Sequence, residues 1–211
     1  MQIQWKGHAS FLITDQHGTR ILTDPFDDRV GYPLPNEVVN IVTVSHQHAD
    51  HNSTQLLSGK PQVVTGPGRH EAAGINITGV DTWHDDVQGA KRGSNTVFVL
   101  NVDGIKVCHL GDLGHLLSEK QVVTIGAVDV LCVPVGGFYT IDATAAQTVV
   151  KQLKPSIVLP MHYKYNAGIK LPIAPIEDFL RLYPHVEERD SLALTRESLP
   201  ASQQVIVLKL T

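Results

Sequence analysis

The chain has 211 residues, of which 42% are hydrophobic and 18% charged, with a formal charge of −4. That length fits one large domain or two small ones with a substantial core, and the balance is that of an ordinary globular protein. An acidic chain without a Lys/Arg cluster argues against a nucleic-acid partner, and no apolar run approaches the ~20 residues that span a bilayer.

In chain order, the first third is rich in strand signals, at residues 3–5, 10–14, 20–24, 39–44 and 62–65. Gln16-His17-Gly18 supplies a hairpin turn, and Pro33-Leu34-Pro35-Asn36 an exposed loop. Short helical pieces are expected near 53–58 and 67–73. Strands resume at 96–102 and 105–110 with Asp103-Gly104 between them as a hairpin turn, and 128–135 is a further apolar run. Residues 144–153 read as a helix, capped by Thr140 or Asp142 and stopped at Lys154-Pro155. A buried strand at 156–160, a helix at 177–183 and a strand at 205–210 close the chain. With no linker or low-complexity tract, residues 1–211 read as one mixed α and β domain. The start of the chain enters a strand with no apolar leader, and Cys108 and Cys132 lie in apolar runs as reduced, buried thiols. Both observations fit the cytoplasm.

Eleven histidines are the one compositional excess, and they concentrate at Ser45-His46-Gln47-His48-Ala49-Asp50-His51. This stretch follows Asn40-Ile41-Val42-Thr43-Val44, a buried-strand pattern. Three imidazoles and a carboxylate in six residues form a dense donor set for a borderline divalent cation such as zinc. His46 and His48, two apart, share a face of extended backbone, while Asp50 and His51 follow where the chain turns and address a second position. Other donors recur just past apolar runs: His84 after 80–83, Asp112 after 105–111 and His162 after 157–161. Donors at several strand ends, converging on one sheet edge, are how α/β proteins build sites. His109 and His115 compete with His84 on composition alone.

His46-Gln47-His48-Ala49-Asp50-His51 resembles the His-x-His-x-Asp-His signature of the metallo-β-lactamase superfamily. Gly7-His8-Ala9, Thr23-Asp24-Pro25-Phe26, Gly111-Asp112, Pro134-Val135-Gly136-Gly137 and Pro160-Met161-His162-Tyr163 follow in that family's order, so the likeness spans nearly the whole chain. The pattern is similar to small hydrolases of the ascorbate-6-phosphate lactonase-like and N-acyl-phosphatidylethanolamine phospholipase-like kind. The resemblance implies an α/β fold, a four-layer αββα sandwich with the site where the edges of two sheets meet. It further implies that His46, His48 and His84 hold one metal, that Asp50, His51 and His162 hold a second, and that Asp112 bridges them. Asp24 matches an early acidic position that supports the histidine loop without touching metal. One departure is Leu113, where the family often has Thr. His109 is expected to face away within its strand or to support a ligand.

Two divalent ions ~3.5–4 Å apart share a bridging water and bring its pKa toward ~7, which gives hydroxide at neutral pH. Asp50 would orient that nucleophile or take its proton. His115, Tyr163 and Lys164 are positional candidates for protonating the leaving group. The expected protein is a binuclear metal-dependent hydrolase that uses a metal-bridging hydroxide on an ester, lactone or phosphodiester of a small molecule. Its cofactors would be two divalent ions, zinc first and manganese, iron or nickel as alternatives. A non-catalytic metal-binding member of the fold and a nuclease are the competing readings. Specificity is expected in the loops at 27–37, 85–95, 136–143 and 164–175, with Arg92 offered to an anionic substrate if the 85–95 loop folds over the cleft. The apolar, Pro-containing segment 168–176 offers a contact for a homo-oligomer.

Overall fold

The computed structural model describes residues 1–166 and 168–211; residue 167, inside the loop expected at 164–175, lies outside the described residues. Strands β1 (Gln2–Gly7), β2 (Ser10–Thr14), β3 (Arg20–Thr23), β4 (Ile41–Val44) and β5 (Gln62–Thr65) belong to a first sheet. Strands β6 (Gly68–Ala72), β7 (Ile75–Trp83), β8 (Ser94–Val102) and β9 (Ile105–His109) open a second sheet. Helix α1 (Glu119–Ile125), strand β10 (Val130–Pro134), helix α2 (Ala143–Leu153), strand β11 (Ile157–Met161) and helix α3 (Glu177–Leu180) follow. The chain ends with β12 (Val186–Arg189), β13 (Leu192–Ala193) and β14 (Gln204–Leu208).

The first sheet has the order β13-β1-β2-β3-β4-β5 and the second β12-β14-β11-β10-β9-β8-β7-β6. Each begins with antiparallel pairs and continues with parallel ones. Their facing sides share one core, in which Ile3, Phe11, Ile13 and Ile21 meet Ile77, Phe98 and Leu100. Each such side chain stabilises the fold by ~1.5–3 kcal/mol relative to exposure. Strands β10 and β11 are buried at every residue, as expected for parallel strands covered on both faces.

Helix α2 forms where the sequence places it. Asp142 caps it by accepting from the Ala145 amide at 2.8 Å, and Ala146, Val149, Val150 and Leu153 make its buried stripe. Lys154 in the left-handed region ends it before Pro155. The Asp103-Gly104 turn adopts positive φ at both residues, 52° and 74°, as a two-residue hairpin of the primed type requires.

The expected mixed α/β, two-sheet architecture is the one observed, with few helices. The outer face of the first sheet is covered without an α-helix: Leu57, just after a 3-10 turn at Thr54–Leu56, packs on Leu12, Leu22, Val39, Val42 and Val44. The helical piece expected near 53–58 is therefore this short turn. The helix expected near 67–73 is instead strand β6, Gly68–Ala72. Pairing of β6 with β7 overrides the local pattern, and Ala73 and Gly74 close the hairpin at φ 44° and 79°. Helix α1 has no counterpart among the sequence expectations, although Ser118 and Gln121 form a reciprocal capping box at its start.

Candidate metal centre

Every donor of the centre sits in the segment that follows the C-terminal end of a strand. In the first sheet β1, β3 and β4 run in one direction, so His8, Asp24 and the loop His46–His51 emerge at one edge. In the second sheet β7, β9 and β11 are likewise parallel, and His84, Asp112 and His162 emerge at its corresponding edge. The donors form groups that draw on both sheets: His46, His48 and His84 in one, and His8, Asp50, His51 and His162 in another.

Asp112 lies between them. Its Oδ2 is 3.2 Å from His84 Nε2, 3.2 Å from His162 Nε2, 3.3 Å from His51 Nε2 and 4.0 Å from His46 Nε2. Burial pushes this carboxyl up, but His162 and His51 outweigh that and hold it well below the usual range. The backbone is shaped to deliver it. Gly111 sits at φ 55°, and a Cβ there would collide with Asn95 Oδ1 and lie 2.6 Å from Ser45 Cβ. Asn95 Oδ1 accepts the Asp112 amide at 2.9 Å.

The histidine loop is aimed from behind by one buried carboxylate. Asp24, fully buried and at φ 39°, accepts from the Ser45 amide at 2.8 Å, from Ser45 Oγ at 2.5 Å and from His51 Nδ1 at 3.0 Å. Since the Ser45 hydroxyl proton goes to Asp24, Ser45 Oγ receives the His46 Nδ1 proton across 2.9 Å. The Nε2 atoms of both histidines thus turn toward the centre. Burial, with His51 adding to it, lowers His46 to about 3, so it is a neutral imidazole ready to donate a lone pair. For His51, burial works downward, but Asp112 and Asp24 raise it well above the ordinary value.

Several buried polar atoms of this cluster have no hydrogen-bond partner among the described residues: His46 Nε2, Asp112 Oδ1 and the Nδ1 atoms of His8, His84 and His162. Orphaned groups at that depth are costly, and two of them, His46 Nε2 and Asp112 Oδ1, belong to the residues on which the other imidazoles converge. The donor set therefore fits divalent cations.

His8 is a candidate donor that sequence reasoning does not single out. It is fully buried, with Nε2 3.2 Å from His51 Nε2 and 3.4 Å from Asp50 Oδ2, and its ring lies 4.2 Å from that of His162. The signal was present, since His8 follows a strand as the other donors do, but it lies within a tight hairpin at the first strand pair. Burial and His162 lower its pKa to about 4. Asp50, whose side chain keeps 34% exposure, faces both His8 and the cleft.

Two expected catalytic residues are not brought to the centre. His115 accepts the Trp83 amide on Nε2 at 3.1 Å and gives its Nδ1 proton to the Leu116 carbonyl at 2.7 Å, so both ring nitrogens are committed to backbone. Tyr163 is buried with its ring stacked on Trp5 at 5.3 Å, and burial pushes its phenol above the ordinary range. Lys164 is exposed on the neighbouring loop. His109 also stays out of the donor groups. Its Nε2 donates to the Ala9 carbonyl at 2.7 Å and its Nδ1 accepts the Gly111 amide, which joins the two sheets. Leu113, at the position where a threonine was anticipated, is a fully buried core residue.

Comparison with known proteins agrees with this geometry. A family model described as the beta-lactamase superfamily domain matches residues 2–162. A solved structure from Thermotoga maritima, proposed to be a Zn-dependent hydrolase of the metallo-beta-lactamase superfamily, is 42% identical, covers 98% of this chain and 97% of its own, and superposes with a TM-score of 0.84. The chain belongs to the metallo-β-lactamase superfamily. Within that superfamily it groups with metal-dependent hydrolases. A UPF0173 metal-dependent hydrolase from Methanoregula boonei is 31% identical over 189 residues, 77% of this chain and 82% of that protein. One from Archaeoglobus fulgidus is 29% identical over 196 residues, 77% and 83% of the two chains.

Proposed function

We propose that the centre holds two divalent cations and that the protein hydrolyses a small-molecule ester, lactone or phosphodiester. The observation that carries this reading is the position of Asp112 Oδ2, within 3.3 Å of histidines from both donor groups. His46, His48 and His84 would hold one cation. Asp50, His51 and His162, joined by His8, would hold the other, with Asp112 shared between them. Two cations bound there supply Lewis acidity and a hydroxide nucleophile at neutral pH. A nitrogen-rich set suits zinc first, with manganese, iron or nickel as alternatives.

The chain's own residues supply orientation and proton handling. Asp24 fixes the tautomers of His46 and His51 through their Nδ1 protons. Asp50 stays ionised because His8 and His51 outweigh the effect of its burial, and its open edge on the cleft lets a carboxylate oxygen take the proton of an attacking water. With His115 and Tyr163 engaged elsewhere, Asp50 would pass the proton it took from water to the leaving group.

A cleft of about 260 Å³ beside His48, Asp50, His84 and Asp112 favours small substrates over a polynucleotide, as does the −4 charge. Two buried free thiols fit a reducing compartment such as the cytoplasm. Donors arriving from both sheets support the chain working as one hydrolase domain. The test is elemental analysis of purified protein, followed by a screen of esters, lactones and phosphodiesters with the metal restored. Two equivalents of metal per chain and turnover are expected; a single equivalent, or full occupancy in Asp112→Ala, refutes the binuclear reading.

A further inference from the structure

We infer that Arg92 is the specificity residue of this cleft and binds an anionic group of the substrate, a carboxylate or a phosphate, remote from the bond that is cut. The inference rests on the hydrolytic reading of the centre and adds the substrate's charge to it.

Arg92 lies on the wall of the cavity floored by His48, His84 and Asp112, with Tyr139 and Leu171 beside it. Its guanidinium stands 5.6 Å from the centre of the Tyr139 ring, and one amino group donates to the Phe138 carbonyl at 2.8 Å. A guanidinium has five N–H donors, and this carbonyl is its one protein acceptor among the described residues. No carboxylate pairs with it among them either, as none pairs with Arg69, whereas arginines 20, 29, 181, 189 and 196 each pair with an acid. A half-buried cation with spare, forked donors at a cleft wall is a receptor for a planar or tetrahedral anion.

The position is also built. Asp85, buried directly after His84, accepts four backbone amides. Val87 and Gly89 bond one oxygen at 3.0 and 2.8 Å, and Lys91 and Arg92 bond the other at 2.9 and 2.7 Å. One carboxylate thus closes the whole turn and sets Arg92 relative to His84. The base of the turn is also tied to the segment that carries Asp112, where the Gly114 amide donates to the Trp83 carbonyl at 2.9 Å. Guanidinium and metal donors are therefore held in register, as recognition of one end of a molecule and reaction at another require.

The test compares two p-nitrophenyl esters of similar size, the neutral butyrate and the anionic monosuccinate, on the zinc-loaded protein. The variants are Arg92→Gln, which keeps a polar amide without the charge, and Arg92→Lys, which keeps the charge. Arg92→Gln should lower kcat/KM for the monosuccinate by about tenfold to a hundredfold and leave the butyrate within about threefold. Arg92→Lys should recover part of the loss, and the zinc content of all three proteins should match. Equal losses on both esters would reduce Arg92 to a loop tether and overturn the inference. Calorimetric titration with succinate and with inorganic phosphate needs no turnover. If neither ester is cleaved, the ester-hydrolase reading fails, and the inference still stands or falls on whether Arg92→Gln weakens anion binding about tenfold or leaves it unchanged. The anion whose affinity falls more identifies carboxylate or phosphate as the group recognised.

Discussion

The backbone amide of His162 donates to the carbonyl of His8 at 3.1 Å, and both residues sit in the left-handed region at φ 52°. One hydrogen bond thereby joins the end of β1 in the first sheet to the end of β11 in the second, with the two imidazole centres 4.2 Å apart and the rings tilted by 39°. A non-glycine residue held in that region costs ~1–2 kcal/mol, so the pairing is maintained against a local preference. His8 belongs to the centre by this construction as much as by its distance to Asp50.

Replacing His8 by Ala is expected to weaken one of two metal equivalents about 10- to 100-fold, a loss of the size seen when groups supporting a metal site are removed. Competition with a chelator of known affinity measures it. His8→Gly removes the same ring but tolerates positive φ, so it should be ~1 kcal/mol more stable than His8→Ala in urea unfolding. Unchanged metal affinity in both would make His8 a packing residue.

Asp24→Asn leaves the shape but removes the charge that receives protons from Ser45 and His51. One amide oxygen cannot replace two carboxylate oxygens that accept three bonds. A loss of ~2–4 kcal/mol in stability is expected, together with slower and weaker metal uptake. NMR of the imidazole nitrogens should show His46 and His51 no longer held with the proton on Nδ1. Retention of that tautomer in both rings would dismiss the aiming role of Asp24.

Gly111→Ala should be poorly tolerated. The new methyl group would collide with Asn95 Oδ1 and press on Ser45, the residue that precedes His46, in a backbone conformation that alanine disfavours. Overpacking of this kind costs ~1–3 kcal/mol, with the strained φ adding to it. Because both neighbours position donors, metal content should fall along with the melting temperature. Gly18→Ala carries a similar φ, 85°, with nothing near its Cβ, and serves as the control for strain alone.

Cys108 and Cys132 should be unreactive toward a thiol reagent at pH 8 in the native protein and give two equivalents once it is denatured. Burial raises both thiols above their ordinary value. The folded thiols therefore keep their protons as pH rises, while the unfolded thiols lose theirs near pH ~8.5. Above that pH the unfolded state binds fewer protons, and stability declines. Replacing both by Ala should flatten the alkaline side of the stability profile; an unchanged slope would assign that decline to other groups.

Much of the fold could be read from the sequence because its parallel strands are continuous apolar runs and α2 carries both a cap and a stripe. Residues 67–73 misled because their local pattern suits a helix, and pairing with β7 is a long-range effect that no local pattern records. Helix α1 escaped notice because it is short and amphipathic only at Ile125, although Ser118-Glu119-Lys120-Gln121 announces its start. At the centre, the strand-end rule finds His84, Asp112 and His162 as well as the dense loop at 46–51. The same rule applied to β1 reaches His8. His115 and Tyr163 were nominated by their nearness in sequence to Asp112 and His162, and nearness does not fix orientation: a backbone amide and a tryptophan face claim them.

Since the donors are divided between the two sheets, neither sheet alone carries the whole donor set. During synthesis the N-terminal segment exposes His8 and the loop at 46–51 first, followed by His84 and Asp112. The last donor, His162, arrives only when β11 has found its place between β10 and β14. Full metal loading is consequently a late event in the birth of this protein, and a loaded centre certifies that its two sheets have been assembled correctly.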